Sequence, residues 1–413
     1  MKRRVVITGL GAVTPLGNTV EEMWPALLAG KNGIDYITQF DTSNMRVKIA
    51  AEIKDLDPEK YLDPKECRRN DRTVILGMIA AMQAYKDANL EGADIDCYRF
   101  GTFVTSGIGG INTIYEQSMV AREKGGDRVT PFFIPSAIIN LIGGNIAIKY
   151  KAKGPNLPIV TACSSGNDSI GLAFHQIRDN YLDIAFAGGA EAAINILGVG
   201  GFSSMRALCF TNDPNAASIP FDKRRSGFVM GEGAGVLILE ELEHALKRGA
   251  KIYGEIVGYA ATCDAYHITA PDETADGIIH AFMNALKDGG VRPEQIDYIN
   301  AHGTSTPYND RLETLAIKKV FRENAYKINI SSTKSMIGHC LGASGAIEAV
   351  ITALTINNDI IPPTINYREF DEDCDLNYTP NLAVQRKVNY AINNNIGFGG
   401  QNSTLIMKKY IRE

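Results

Sequence analysis

The chain of 413 residues has no long apolar run, no cysteine pair at metal-binding spacing and only a small excess of negative charge. No stretch approaches the roughly 18 apolar residues of a bilayer-spanning helix, which excludes a helical membrane protein. Seven cysteines, at 67, 97, 163, 209, 263, 340 and 374, are odd in number, scattered and without a C-x-x-C unit. That set argues against a disulfide framework and a zinc ribbon alike, and fits a reducing compartment. Forty-two basic against 47 acidic side chains leave a formal charge of −5, too even for a nucleic-acid clamp driven by bulk charge. The opening Met1-Lys-Arg-Arg-Val-Val-Ile-Thr8 is basic but runs into a β-branched pattern without a signal peptide's apolar core. A cytoplasmic protein with neither membrane nor nucleic-acid partner is the expectation. Gly9-Leu-Gly11-Ala-Val-Thr14 misses the third glycine of the dinucleotide fingerprint, so a nicotinamide cofactor is discarded.

What is present is an ordinary globular composition, 45% hydrophobic and 22% charged, in a chain long enough for roughly two to three domain-sized units. Strand-like runs alternate with helical spacing, the signature of an α/β fold with buried sheets. Strands are expected at Val5 to Val13, Phe100 to Val104, Pro158 to Thr161, Ile184 to Ala187 and Gly233 to Glu240, with helices at Glu21 to Leu28, Thr73 to Ala88 and Ser164 to Arg178. The second part repeats the plan: strands Ile252 to Ala260 and Ile296 to Ala301, helices Ala275 to Leu286, Arg311 to Phe321 and Gly342 to Ile356. Two segments look related, Thr161-Ala-Cys163-Ser-Ser-Gly166 and Gly338-His339-Cys-Leu-Gly-Ala-Ser-Gly345, each setting a small-residue helix start behind a reactive residue type. A duplicated architecture follows, with halves 1–250 and 251–413 in one body, since no Pro-, Gly- or Ser-rich linker divides them.

Cys163 falls between a strand pattern and a helix pattern, where unpaired amides and the helix dipole favour a thiolate nucleophile; the alternative is a small buried hydrophobe. His302 follows the strand ending at Ala301, the strand end where open α/β sheets build sites, and His339 precedes another helix. Either is otherwise a structural histidine, and a zinc site of Cys163, His302 and His339 lacks the usual ligand spacing. The turn Gly397-Phe398-Gly-Gly400 permits close backbone approach, aiming a donor amide into a site, or is a plain hairpin. Lys65, Arg68, Arg69 and Arg72 form a basic cluster, either a solvated face or, at a site's mouth, an attractor for an acidic partner.

In this order, Thr161-Ala-Cys163-Ser-Ser-Gly166, His302-Gly-Thr304-Ser-Thr306, Lys334-x-x-x-Gly338-His339 and Gly397-Phe398-Gly-Gly400 resemble the β-ketoacyl synthases. The opening Arg4-Val-Val-Ile-Thr-Gly-Leu-Gly-Ala-Val-Thr-Pro-Leu-Gly17 extends the likeness over essentially the whole chain, nearest to synthases of type II. The resemblance implies a thiolase-type, five-layered α-β-α-β-α fold of two similar halves, a homodimer, and no redox cofactor or metal. It implies Cys163 as the acyl-accepting nucleophile, the amides of Cys163 and Phe398 as its oxyanion hole, and His302 and His339 as donors to a malonyl thioester, with Lys334 positioning the His339 region. Thr304 and Thr306 match positions that bind a phosphopantetheine arm; Ile108, Phe202 and Phe398 match the acyl pocket, and Phe133 would reach the partner subunit's pocket. Lys65, Arg68, Arg69 and Arg206 match a patch that docks acyl carrier protein in its acyl and malonyl forms. The implied activity is decarboxylative condensation in fatty acid elongation; a type II polyketide or polyene synthase, a silent chain-length partner subunit and a thiolase are the alternatives. Asn309, Asn395, Ile396 and Gln401 depart from the usual pattern, and Asn309, in place of a glycine, is expected to tolerate a left-handed turn.

Overall fold

Val5–Val13 is a strand with the bounds expected of it, buried at every residue. The computed structural model describes residues 2–412 and joins nine strands into one hydrogen-bonded sheet. They are β1 (Val5–Val13), β2 (Phe100–Thr105), β3 (Ile184–Glu191), β4 (Gly233–Glu241), β5 (Gly254–Cys263), β6 (Tyr298–Asn300), β7 (Asn329–Ser331), β8 (Tyr390–Gly397) and β9 (Gln401–Lys408). Their order is β2-β3-β4-β1-β5-β9-β8-β6-β7. On each side of the β1–β5 junction the pairing recurs. β1 pairs antiparallel with β4, β4 with β3, and β3 parallel with β2. Likewise β5 pairs antiparallel with β9, β9 with β8, and β8 parallel with β6. The junction itself is short, Val5–Ile7 against Gly254–Ile256.

Six helices cover these strands: α1 (Arg72–Asp87), α2 (Leu141–Tyr150), α3 (Ser165–Arg178), α4 (Asp276–Gly289), α5 (Pro307–Phe321) and α6 (Ser344–Asn358). Strand side chains alternate between faces, so each strand feeds two cores. Along β4, Val236 and Ile238 join the outer cluster under α1, while Leu237 and Leu239 pack on α3 and α6. Along β9, Leu405 and Met407 face α3 and α6, and Ile406 faces outward to Phe282 of α4 and Ile317 of α5. Helices α3 and α6 therefore form a middle layer, with a sheet half and an outer helix layer on either side. Burial on both faces explains why these strands read as continuous apolar runs. Helix α6 is buried from Ser344 to Ile356, so its apolar character runs all round rather than in a stripe.

Two expectations fail. Pro158 to Thr161 is not a strand: pairing with β2 occurs just before it, where Asn156 bridges Thr102, and Pro158, lacking an N–H, ends it. Asn309 lies in the first turn of α5, which starts before Arg311, and its φ is not positive. The glycine-rich segment Ile196–Ser204 forms a helix, because Asn195 caps it by accepting from the amides of Leu197 and Gly198 at 3.0 and 2.8 Å. Among the described residues no helix is long and apolar enough to cross a membrane.

Candidate active site

Cys163 sits in a tight turn, Ala162–Ser164, that runs directly into α3. Ala162 holds φ at 51°, a strained value for a residue with a Cβ. Side chains fasten the turn: Ser165 Oγ donates to the Ala162 carbonyl at 2.7 Å and accepts from the Thr161 amide at 2.9 Å. Thr161 Oγ1 donates to Asp168 at 2.5 Å, and Tyr259 Oη donates to the other oxygen of that carboxylate at 2.9 Å. From the opposite side comes the end of β8. A Cβ on Gly397 would lie 2.6 Å from the Thr161 carbonyl oxygen and 3.1 Å from the Cys163 nitrogen, so only glycine lets the next amide, that of Phe398, reach the sulfur. That amide hydrogen-bonds Cys163.

Burial pushes the Cys163 thiol up to about 12, against the opposing pull of the Lys334 charge and the Phe398 and Cys163 amides. Against the thiolate that a helix start favours, desolvation acts in the opposite direction and favours the protonated thiol.

His302 and His339 face Cys163 across a cavity of about 600 Å³. Their rings meet nearly at right angles, 86°, with centroids 5.2 Å apart. His302 follows β6, where its own amide and that of Gly303 both donate to the Glu313 carboxylate of α5 at 2.8 Å. Burial pushes Glu313 up to about 7, those amides and Asn394 pulling the other way. The His339 amide donates to the Val229 carbonyl at 2.7 Å, and its Nδ1 lies 2.9 Å from Ser344 Oγ. Burial first and the Lys334 charge second hold both imidazoles well below the usual histidine range; for His302 His339 adds to this. Both are neutral at pH 7, and a neutral imidazole carries one N–H donor.

Lys334 does not line the cavity. Its Nζ pairs with Glu348 Oε1 of α6 in a fully buried ion pair, and the other oxygen of Glu348 accepts from Asn395 Nδ2 at 2.8 Å. Thr304 and Thr306 line the cavity with their hydroxyls 3.0 Å apart, and Phe202, Arg206 and Phe398 line it too. Ile108 lies outside the cavity wall, packed in an apolar cluster with Phe202, Phe228 and Leu341. Phe133 is half-buried on the short helix Phe133–Ala137, away from this cavity. Lys65, Arg68 and Arg69 are exposed on the helix Pro64–Arg69, with the Arg69 guanidinium 4.8 Å over the Phe132 ring. Arg72 leaves the basic cluster for a bidentate bond to Glu232 at 2.7 and 2.8 Å.

Sequence reasoning missed Glu313, Glu348 and the segment from Asp264 to Glu273 that forms one cavity wall. A signal existed for Glu348: one acid within an otherwise apolar helix pattern announces a buried partner.

Two family models match the chain: the β-ketoacyl synthase N-terminal domain over residues 2–245 and the C-terminal domain over residues 253–368. The 3-oxoacyl-[acyl-carrier-protein] synthase 2 of Synechocystis sp. is 51% identical over 410 residues, covering 99% of both chains. Its namesake from Coxiella burnetii is 51% identical over 409 residues, again 99% of each, and that of Staphylococcus aureus 46% over 408, 99% of each. Among solved structures, a β-ketoacyl synthase from Burkholderia phymatum superposes with a TM-score of 0.93 at 34% identity, covering all of both chains. A ketosynthase solved with its type II polyketide acyl-carrier protein superposes at 0.92 with 35% identity, also over both whole chains. The fold is the thiolase-type α/β fold of these enzymes. Matched along both halves and at half identity over its whole length, the chain belongs to the β-ketoacyl synthase family.

Proposed function

We propose that the protein is an acyltransferase that condenses an acyl chain with malonyl-acyl carrier protein, in fatty acid elongation. The observation that carries this reading is one buried thiol facing two neutral imidazoles across a single cavity. The sulfur of Cys163 attacks an acyl thioester, its proton passes to the departing sulfur, the carrier leaves as its thiol, and the chain is held as a thioester on Cys163. The amides of Cys163 and Phe398 bind the oxyanion of that tetrahedral step. Malonyl carrier then enters; its carboxylate leaves as carbon dioxide, and the electron pair remains as an enolate whose oxygen accepts from His302 and His339. The enolate carbon attacks the acyl carbonyl, the Cys163 sulfur departs, and a 3-oxoacyl carrier two carbons longer is released. Neutral donors suit this chemistry: an imidazolium would protonate the carbanion it is meant to stabilise.

The elongation role is supported by 46–51% identity, over nearly the whole chain, to relatives named 3-oxoacyl-[acyl-carrier-protein] synthase 2. In this reading Thr304 and Thr306 hold the pantetheine arm, and Phe202 and Phe398 shape the acyl pocket, with Ile108 packed behind Phe202. Lys65, Arg68, Arg69 and Arg206 dock the acidic carrier, Arg206 from the cavity mouth. The halves 1–250 and 251–413 are taken as the duplicated units, and the enzyme as a cytoplasmic homodimer. Exposed Phe132, Ile134, Ile138, Ile148, Leu157 and Val160 support a dimer, as exposed apolar side chains favour an interface; in this reading Phe133, beside them in sequence, enters the partner's pocket. The test supplies acyl carrier protein loaded with acyl and malonyl groups and follows carbon dioxide and a 3-oxoacyl product by mass spectrometry; acyl transfer without product would sink the reading.

A further inference from the structure

His302 has a ring contact that the chemistry above leaves unused. Asn395 lies on β8 and is fully buried. In register along the same face, Asn393 reaches Asn167 and the Gly345 carbonyl, and Gly397 lies under the Cys163 turn. Between them Asn395 Nδ2 sits 2.8 Å from Glu348 Oε2 and 3.5 Å from His302 Nδ1. Its Oδ1 is buried without a partner, 2.5 Å from where a Cβ on Gly345 would stand.

The orientation of this amide follows from its neighbours. Glu348 spends Oε1 on Lys334 and has only acceptor capacity left on Oε2, so the NH₂ end of Asn395 must face it. One hydrogen goes to Glu348; the second points at His302 Nδ1. A ring nitrogen that receives a donor is the unprotonated one, which leaves the single proton of a neutral imidazole on Nε2. The 3.5 Å separation is long, as catalytic contacts often are before substrate closes on them. A buried oxygen without a partner is costly, and the two bonds made by the other end of the amide offset it.

We propose that Asn395 is a positioning residue: anchored through Glu348 to Lys334, it holds His302 as the Nε2–H tautomer that donates to the substrate oxygen. The inference rests on the donor role of His302 proposed above. A residue that wanted only volume here would need no donor, and an aspartate of nearly the same shape would invert the arrangement by accepting from Nδ1–H.

The experiment reads the His302 tautomer by long-range ¹H–¹⁵N NMR on protein labelled at its six histidines, with His302→Ala supplying the assignment. The wild type should show Nε2 alone protonated. Asn395→Asp should move the proton to Nδ1 and slow malonyl decarboxylation by at least about 100-fold, the scale of a lost oxyanion donor or a wrong tautomer. Acylation of Cys163 and KM for malonyl carrier should stay unchanged. Asn395→Ser, with one hydroxyl donor for two acceptors, should give mixed tautomers and an intermediate loss; if the aspartate variant does not fold, this one carries the test through the same readouts. If His302→Ala decarboxylates malonyl carrier normally, the donor role fails and Asn395 has nothing to position. If His302→Ala is impaired while the folded Asn395 variants keep Nε2–H and the full rate, the donor role stands and the proposal for Asn395 is overturned.

Discussion

Lys334 and Glu348 meet as an ion pair in which neither side chain is more than 1% exposed. Burial pushes the Glu348 carboxyl up while Lys334 and Asn395 pull it down. Removing one partner strands a charge in the core, so Lys334→Ala should cost about 3–5 kcal/mol of stability. The double variant Lys334→Met/Glu348→Gln should recover most of that in urea denaturation. Equal losses in both would mean that the pair's neighbours, rather than the unpaired charge, set the cost.

Cys163→Ala should abolish the covalent acyl adduct and leave the melting temperature close to that of the wild type, since only the sulfur supplies the covalent step. Intact-mass spectrometry after incubation with acyl carrier reads this directly. Because burial raises the thiol to about 12, alkylation of the free enzyme at Cys163 should keep accelerating between pH 7 and about pH 9 without a plateau. A plateau near neutrality would return the thiolate expected from the sequence.

His302→Ala and His339→Ala should each slow malonyl decarboxylation on the order of 10²-fold or more, and Cys163 acylation far less. A variant that decarboxylates at the wild-type rate would make its histidine structural.

The same two imidazoles set an acid limb. Their folded pKa values lie well below 6.5, so on acidification the unfolded chain takes up protons first. Stability present above pH 6.5 is lost as pH falls below it, by up to about 1.4 kcal/mol per pH unit for each histidine. Glu313, whose folded carboxyl is pushed up to about 7, acts in the opposite direction over the same range, so the check is a difference: unfolding free energies at pH 7, 6 and 5 should fall less on acidification in His339→Gln than in the wild type.

Reversing Arg68 and Arg206 to Glu should sharply weaken turnover of carrier-bound substrates and change that of free coenzyme A thioesters little, since rim charges govern association. Equal losses on both substrates would assign these arginines to the fold or the site itself.

Much of this was legible in the sequence because it is periodic or punctuated. β1 begins and ends at the expected residues, and β4 and α3 lie within a residue of theirs, since apolar runs between turn residues map onto buried strands. His302 stands just past the end of β6, and Cys163 and His339 stand at or just before turns that open buried helices, where chemistry-bearing residues collect. What was hidden is relational. Nothing local to Glu348 names Lys334 as its partner, and nothing local to Asn395 says that its amide ends between a carboxylate and an imidazole. The burial of Cys163 was hidden for the same reason: a helix start is visible in sequence, but the desolvation that opposes it depends on side chains from distant segments. Ile196–Ser204 escaped because glycines mask its helical spacing until the Asn195 cap is seen.

The turn Ala162–Ser164 has a counterpart in Leu341–Ala343, which likewise opens a buried central helix and likewise carries a strained first residue, Leu341 at φ 48°. Where one has Cys163 the other has Gly342, whose hypothetical Cβ would fall 2.2 Å from the Gly107 nitrogen. The Gly107 and Gly342 amides both donate to Glu191 there, at 2.8 and 3.0 Å. The second helix start is thus filled by main chain and tied to a carboxylate, with no room for a nucleophile. An architecture that repeats itself thus offers a thiol on one side only: on the role proposed for Cys163, the stoichiometry of covalent loading at these paired turns should be one chain per polypeptide, however much acyl donor is supplied.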